Sequence, residues 1–550
     1  MNSLRYEAQS VLFALKPSRR ELLDLSLPNE TNRSVSVNVW RNHAFETIMP
    51  LIEPYCSFGK WGANFNLGPY DDTFMFGNWQ ASDVELLWLD SGRFSLCTKF
   101  PEWLEWLSNR LGFLRSLSKA PIVLATWTDN EVQNGKLQML LDQYPATYFA
   151  DLREACDRFS VELIDQRTAS FAGTPISNQA QLILSRELAC HWLPAAIFPP
   201  IKAVAVDLDE TLHSGVLGED GIRGVQLTPG HAAFQSYIKS IQRQGTFIAL
   251  VSRNEQQDVE DLFSHRLDYP LRWEDFSTTE VSWGDKAAAI GRITNNLRIA
   301  PDAVLFIDDN LGELASVAMR LPQVNTIYAH PDANLTRQVV HYYPGLWRWK
   351  IESDDTKRIN DLKASVERES LVESIVDPVE YLRSLQVTLS YHYDPKAQLT
   401  RLADLCNKTN QFNLALRRFN QVELTDRLKR GDACVASVQL YDRLSDSGII
   451  AVIVAERQGA QLLVEELCVS CRAMGRQLED TIILIALQGM PIFAGCREVA
   501  FRIQHGPRNQ PALDWLARLL GEEPKPGLHA LSAQCLANFT AAEGVNLVKK

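Results

Sequence analysis

Between Pro199 and Ile307 short apolar runs alternate with amphipathic stretches of helical period, and few architectures accept that alternation. Lys202–Val206 reads as a short buried strand behind the breaker Pro199-Pro200. His231–Gln244 follows Pro229-Gly230 and reads as an amphipathic helix. Thr246–Val251 is the next strand, Asn254–Ser264 a helix with Asn254 as candidate N-cap, Asp285–Leu297 another helix, and Ala303–Ile307 another strand. Strands separated by helices in this way form a parallel sheet covered on both faces. Such sheets bind their ligands beyond the carboxyl ends of the strands. The residues just after each strand are therefore the ones to read for chemistry.

The 550 residues exceed one ordinary core, so an α/β multidomain chain is expected. The blocks are an α/β domain over 1–195, the parallel-sheet domain over 196–350, a charged helical connector over 351–370, an α+β domain over 371–520, and a tail over 521–550. Strand-like stretches at Ser34–Val39, Val84–Leu89 and Pro121–Thr126, with a helix over Trp103–Leu117, define the first block. The third block mixes strands (Val387–Tyr393, Ala433–Tyr441, Gly448–Ala455) with helices (Gln398–Cys406, Gln477–Ala486, Gln510–Leu520). A net charge of −12 argues against general nucleic-acid binding, which needs a basic footprint. The most apolar run, Ile482–Leu487, is far too short to cross a bilayer. Arg5, Lys16, Arg19 and Arg20 have no long apolar stretch between them, so a signal peptide is not expected and a cytoplasmic location is. The ten cysteines are scattered, and the single CxxC, Cys468 and Cys471, lacks the further ligands a zinc site needs. Arg417, Arg418, Arg427, Lys429 and Arg430 form a basic cluster, readable as a solvated helix face or as a dock for an acidic partner.

The strand ends of the second block carry a coherent set. Asp207 and Asp209 follow the first strand, Ser252 and Arg253 the second, and Asp308 and Asp309 the last, while Lys286 opens a helix. Clustered carboxylates repel one another unless a cation neutralises them, and an all-oxygen set suits Mg2+. One carboxylate can attack phosphorus, and another, two residues on, can protonate the leaving oxygen and later activate water. Ser252, Arg253 and Lys286 can hold phosphoryl oxygens and offset developing negative charge.

This arrangement resembles the haloacid-dehalogenase superfamily, whose first motif is DxDxT/V. The resemblance implies Asp207 as nucleophile, Asp209 as acid/base, Ser252 and Lys286 as second and third motifs, and Asp308-Asp309 as the acidic fourth. It also implies Mg2+ held by Asp207, the Asp209 carbonyl and Asp308, with Asp309 beside them. More narrowly, Asp207–Gly221, Thr409–Leu414 and Ser470–Arg476 are similar to FkbH-like proteins, usually DLDNTLWGGVxGEDG at the first motif. That likeness implies a degenerate SGNH-like N-terminal domain, here without a GDS-type nucleophile motif. It implies a reaction too: the acyl group of 1,3-bisphosphoglycerate, or a related acyl phosphate, is dephosphorylated and loaded onto the phosphopantetheine thiol of an acyl carrier protein for polyketide assembly. Glu210 stands where Asn is usual, and His213-Ser214 replaces Trp-Gly, which puts the identity of the acyl substrate in question.

The third block resembles a GNAT-type acyltransferase. Arg472-Ala-Met-Gly475-Arg476 is similar to that fold's R/Q-x-x-G-x-G/A loop, with Gln477 replacing the last small residue, and Asn509-Gln-Pro-Ala512 to its late N-x-x-A helix. The likeness implies backbone amides at a helix N-terminus facing a pyrophosphate or phosphopantetheine. Cys471, beside Arg472 and Arg476, reads either as an acyl-accepting thiolate or as a small buried residue packed on the sheet. Asn410, Gln411 and Asn413 read either as acyl or pantetheine binders or as a helix-end cap. His392, Asp442 and Asp446 are further acid/base candidates. Two rivals to carrier loading stand: a plain small-molecule phosphatase, and a carrier-binding scaffold with a spent site.

Overall fold

The computed structural model describes residues 2–28, 33–70, 73–93, 99–167, 172–351, 353–375 and 377–550. They divide into two compact units, Met1–Ile351 and Glu352–Lys550. No described helix is long and apolar enough to cross a membrane.

The first unit holds two parallel sheets. One is built from β1 (Arg33–Arg41), β2 (Trp61–Tyr70), β3 (Val84–Trp88), β4 (Ile122–Thr126) and β5 (Thr147–Asp151), in the order β2-β1-β3-β4-β5. The other is built from β6 (Ala203–Val206), β7 (Phe247–Ser252), β8 (Thr278–Val281), β9 (Val304–Asp308) and β10 (Asn325–Tyr328), in the order β10-β9-β6-β7-β8. The short apolar runs are strands because both their faces are covered: every residue of β6, β7 and β9 is buried. The intervening helices start where local chemistry allows. Thr228 caps Pro229–Arg243 by accepting from the His231 amide, and Asp285 caps Lys286–Asn296 by accepting from Ala288. Asn254 is not a cap; the helix runs Gln256–His265 behind Glu255, and the Asn254 side chain goes elsewhere.

The expected boundary near residue 195 falls between the two sheets, after β5 and before β6, but their cores are continuous across it. One apolar core contains residues of both, from Val35 and Val39 to Val204, Ile307 and Tyr342. The chain's start reaches the second sheet, where Tyr6 Oη lies 2.8 Å from Thr326 Oγ1 and Gln9 Nε2 donates to the Tyr328 carbonyl at 2.9 Å. Glu187, fully buried, accepts from Tyr342 Oη at 2.9 Å and meets His191 Nδ1 at 2.8 Å.

The second unit is built on a seven-stranded mixed sheet. Its strands are β11 (Thr388–Tyr393), β12 (Ala433–Tyr441), β13 (Asp446–Gln458), β14 (Gln461–Val469), β15 (Glu498–Ile503), β16 (Gly527–Ser532) and β17 (Asn546–Lys549), in the order β16-β15-β14-β13-β12-β11-β17. β14–β15 and β11–β17 are parallel pairs and the rest antiparallel. Residues 521–550, expected as a tail, supply both sheet edges, because backbone pairing rather than apolar content holds them there. The expected connector 351–370, of which residue 352 lies outside the described residues, is part of the helix Ser353–Ser374. Its Asp354 and Asp361 are buried among arginines of this same unit.

Candidate active site

Asp207 follows β6 directly, Ser252 ends β7 and Asp308 ends β9, so three adjacent parallel strands deliver their last residues to one edge. Asp207, Asp308 and Lys286 are nearly closed off from water, at 6, 0 and 5% exposure. Lys286, the first residue of its helix, places Nζ 2.9 Å from Asp207 Oδ1 and 2.6 Å from Asp308 Oδ2. Asp207, Asp308 and Asp309 each bring a carboxylate oxygen within 4.8 Å of the others, the one grouping of this kind among the described residues. Burial raises Asp207 and Asp308 above the ordinary carboxylate range; Lys286 opposes the rise for both, and the Asp308 charge adds to it for Asp207. Burial, with the Asp308 charge, pushes Asp309 up to about 6. Three carboxylates face one ammonium, and the donor set is all oxygen. The residues present fit a hard divalent cation.

Asp209 lies outside that triad. Its Oδ1 accepts from the Leu217 amide at 2.9 Å and lies 3.2 Å from His213 Nε2, and its Oδ2 accepts from Asn254 Nδ2 at 2.8 Å. Burial alone would raise its carboxyl, but the bonds from His213, Leu217 and Asn254 hold it below the usual range. Asn254 Nδ2 also donates to Ser252 Oγ at 2.9 Å and so ties Ser252 to Asp209. Sequence reading missed this role. The signal was available in Ser252-Arg253-Asn254, an amide side chain two residues after a strand-end hydroxyl. Arg253, expected at phosphate, pairs its Nη2 with Glu313 Oε1 at 2.8 Å. Glu210 adopts a left-handed φ of 51°, and its Oε1 accepts from the Gly215 amide at 2.8 Å. Its charge is thereby taken up by the turn that follows the motif.

The third-block candidates are placed differently. The helix expected to open behind Gly475 begins at Glu479, and residues 471–475 are turns. The Gly475 amide donates to Glu479 Oε1 at 2.8 Å, so it is already satisfied. Arg476 pairs with Asp361 at 3.1 Å and Asp442 at 3.3 Å, and Arg472 is buried with Nη2 3.5 Å from the Ile449 carbonyl. Asn413 is fully buried; its Nδ2 donates to the Cys406 and Thr409 carbonyls and its Oδ1 accepts from Leu416. Asn410 Oδ1 accepts from Arg418 Nη2 at 2.5 Å, and Gln411 is exposed. Cys471 is half-buried in the turn, ahead of the helix rather than at its first residue. Asp446 is held by Lys357 at 2.8 Å. The basic cluster is met from within: Arg417 and Arg427 pair with Glu465, Arg430 with Asp432 and Glu456, and Lys429 with Asp426.

No protein-family model matches the chain, and no curated protein matches it. Among solved structures it is similar to the N-terminal part of the protein BF1531 from Bacteroides fragilis, described as containing a phosphatase domain complexed with Mg. Identity is 18%, coverage 62% of this chain and 99% of that one, and the TM-score 0.46. An uncharacterized protein from Corynebacterium glutamicum matches at 10% identity over 26% of this chain and 95% of that one, with a TM-score of 0.19. The hypothetical protein XCC2798 from Xanthomonas campestris matches at 16% identity over 26% and 84%, also at 0.19. At these scores the likeness assigns no reaction, and the chemistry rests on the site's own geometry.

Proposed function

We propose that this chain is a magnesium-dependent phosphoryl-transfer enzyme of the haloacid-dehalogenase type, with Asp207 as nucleophile. The observation that carries the reading is the convergence of Asp207, Asp308 and Asp309 within 4.8 Å at the carboxyl edge of a parallel sheet, with Lys286 bonded to two of them. Asp207, Asp308 and Asp309, with the Asp209 carbonyl, would hold Mg2+, which when bound neutralises carboxylate repulsion and polarises a phosphoryl oxygen. Asp207 bonds to phosphorus as the bond to the leaving oxygen breaks, and Asp209 gives that oxygen a proton. An incoming phosphate ester brings negative charge beside Asp209 and raises its proton affinity, so that Asp209 takes up this proton from solvent as the ester binds. Asp209 then takes a proton from water, whose oxygen displaces Asp207 from phosphorus and frees phosphate. Ser252 and Lys286 offset charge on the phosphoryl oxygens. The test is phosphate release by Asp207→Asn in the presence of Mg2+; surviving turnover would sink the assignment.

Within that chemistry, the finer reading takes 1,3-bisphosphoglycerate or a related acyl phosphate as donor and a carrier phosphopantetheine thiol as acceptor. Its support is the likeness at Asp207–Gly221, Thr409–Leu414 and Ser470–Arg476. The plain phosphatase reading draws support from the internal engagement of Asn413, the Gly475 amide and Arg476. Mass analysis of a phosphopantetheinylated carrier protein separates them. Incubation with the enzyme, Mg2+ and 1,3-bisphosphoglycerate adds a glyceryl mass under the first, and yields phosphate with an unchanged carrier under the second.

A further inference from the structure

His213 stands where similar first motifs carry Trp, and nothing in the phosphoryl chemistry above uses it. It is fully buried, and both its ring nitrogens are taken up by side chains of the protein. Its Nε2 lies 3.2 Å from Asp209 Oδ1 and its Nδ1 lies 3.0 Å from Tyr269 Oη. An ionised carboxylate only accepts hydrogen bonds, so in the neutral ring the proton sits on Nε2 and Nδ1 accepts from the Tyr269 hydroxyl. Tyr269 is itself buried, with the Arg266 guanidinium 4.6 Å over its ring and Phe263 against it edge-on at 6.0 Å. Each link is thus fixed by the one behind it, and the last link is a carboxylate oxygen.

We propose that His213 is a positioning residue for Asp209, oriented in its turn by Tyr269. The inference rests on the phosphoryl-transfer reading and deepens it at the acid/base. The Leu217 amide and Asn254 already hold Asp209 from two directions, both from groups fixed to the loop or to the second motif. His213 adds a second donor at Oδ1, a side-chain partner beside the Leu217 amide, and leaves Oδ2 with Asn254 alone. With His213 in place, the oxygen that carries the proton is presented at one angle. A general acid must meet the leaving oxygen within hydrogen-bond reach, and a misplacement of about 1 Å can cost on the order of a hundredfold.

The consequence is a selective defect. A p-nitrophenolate leaves from phosphorus with little help, whereas a glycerol alkoxide needs the proton from Asp209. The ratio kcat/KM reports steps up to loss of the leaving group, so it separates the two. For His213→Phe with Mg2+, kcat/KM for glycerol 2-phosphate is expected to fall roughly 10- to 100-fold while that for p-nitrophenyl phosphate stays within about threefold. With the nitrophenyl ester, kcat falls and KM falls with it, because water attack on the Asp207 phosphate also needs Asp209; acid quenching should trap more phosphoenzyme. His213→Gln, which keeps a donor, should recover most of the alkyl activity. Tyr269→Phe, which removes one hydroxyl, should show the same selectivity with about a threefold loss. Equal losses on both esters, or none on either, would overturn the positioning role and leave Asp207 untouched. Asp207→Asn, run alongside, must lose both esters; turnover there would overturn the phosphoryl reading and the positioning role with it.

Discussion

Two buried ionic clusters in this chain obey opposite rules. At the edge of the second parallel sheet, Asp207, Asp308 and Asp309 gather around one ammonium, Lys286. In the C-terminal unit, Asp361 and Asp442 meet Arg368 and Arg476, two carboxylates against two guanidiniums, with Ser445 and Ser447 also donating to Asp361. The second cluster balances its charge with its own side chains. The first does not, and needs something from outside. Buried charges that are paired contribute to the fold, while buried like charges are kept against the fold's interest and mark chemistry.

The sharpest way to break that contrast is to remove one charged side chain from the centre of each cluster. Asp207→Asn is expected to lower turnover by roughly 10⁴-fold or more while leaving the unfolding midpoint equal or raised, because a repelling charge has gone. A variant that loses stability instead would place Asp207 among the structural ions. Arg476→Ala is expected to do the reverse. It leaves Asp361 and Asp442 to share Arg368 alone, one guanidinium against two buried carboxylates, and should lower stability by about 2–3 kcal/mol, with Mg2+-dependent phosphate release per folded molecule unchanged. Urea unfolding, with hydrogen exchange locating the loss in 352–550, is the measurement. A near-neutral Arg476→Ala would instead return Arg476 to the ligand-binding role its sequence neighbours suggest.

Legibility from sequence follows the same division. The parallel sheet could be read because its strands are buried on both faces and its helices carry a 3.6-residue period; β7 and the helix Lys286–Asn296 fall within a residue of where the pattern puts them. The carboxylate cluster could be read because chemistry at a sheet edge depends on the few residues after each strand. What could not be read depends on partners distant in the chain. Arg476 looks like a loop cation until Asp361, 115 residues away, arrives beside it. Asn413 looks like a ligand binder until its amide is spent on Cys406 and Thr409. Asn254 has the composition of a cap, and only the fold brings Asp209 within 2.8 Å of it. Strands β16 and β17, six and four residues long, are too short for a two-residue period to show them, and an edge strand is held mostly by its backbone.

Metal addition sharpens the contrast at lower amplitude. Mg2+ at about 100 times its dissociation constant stabilises the folded state by roughly 2.7 kcal/mol if it binds only there. The gain should show as slowed hydrogen exchange at 203–210 and 304–310 and vanish in Asp308→Asn. The balanced cluster of the C-terminal unit has no vacant charge to fill and should show no change. Protection that rises there instead would contradict the division.

Acid offers the smallest and most local separation. His43 and His341 lie in the first unit, and burial, helped by nearby cations, holds both at about 3 against an ordinary 6.5. A histidine kept neutral in the fold but free to take a proton when unfolded stabilises fully above pH 6.5, and that stability drains as pH falls toward the folded value. At pH 5.5 each costs about 1.4 kcal/mol relative to pH 7.5. In the C-terminal unit burial would raise Asp361, but Arg476 and the hydroxyls of Ser445 and Ser447 keep it below the usual carboxylate range. Its contribution is present above the ordinary carboxylate value and is lost only as pH falls below it. Between pH 7.5 and 5.5, then, exchange protection should weaken around His43 and His341 and hold around Asp361, while the raised carboxylates Asp207, Asp308 and Asp309 work in the opposite sense at their own sheet edge. His43→Asn, which removes one protonatable ring, should flatten the pH slope of protection around that ring by about 1.4 kcal/mol over this window. An unchanged slope would mean that His43 already accepts a proton in the folded chain, and that its buried ring is not the neutral group its surroundings demand.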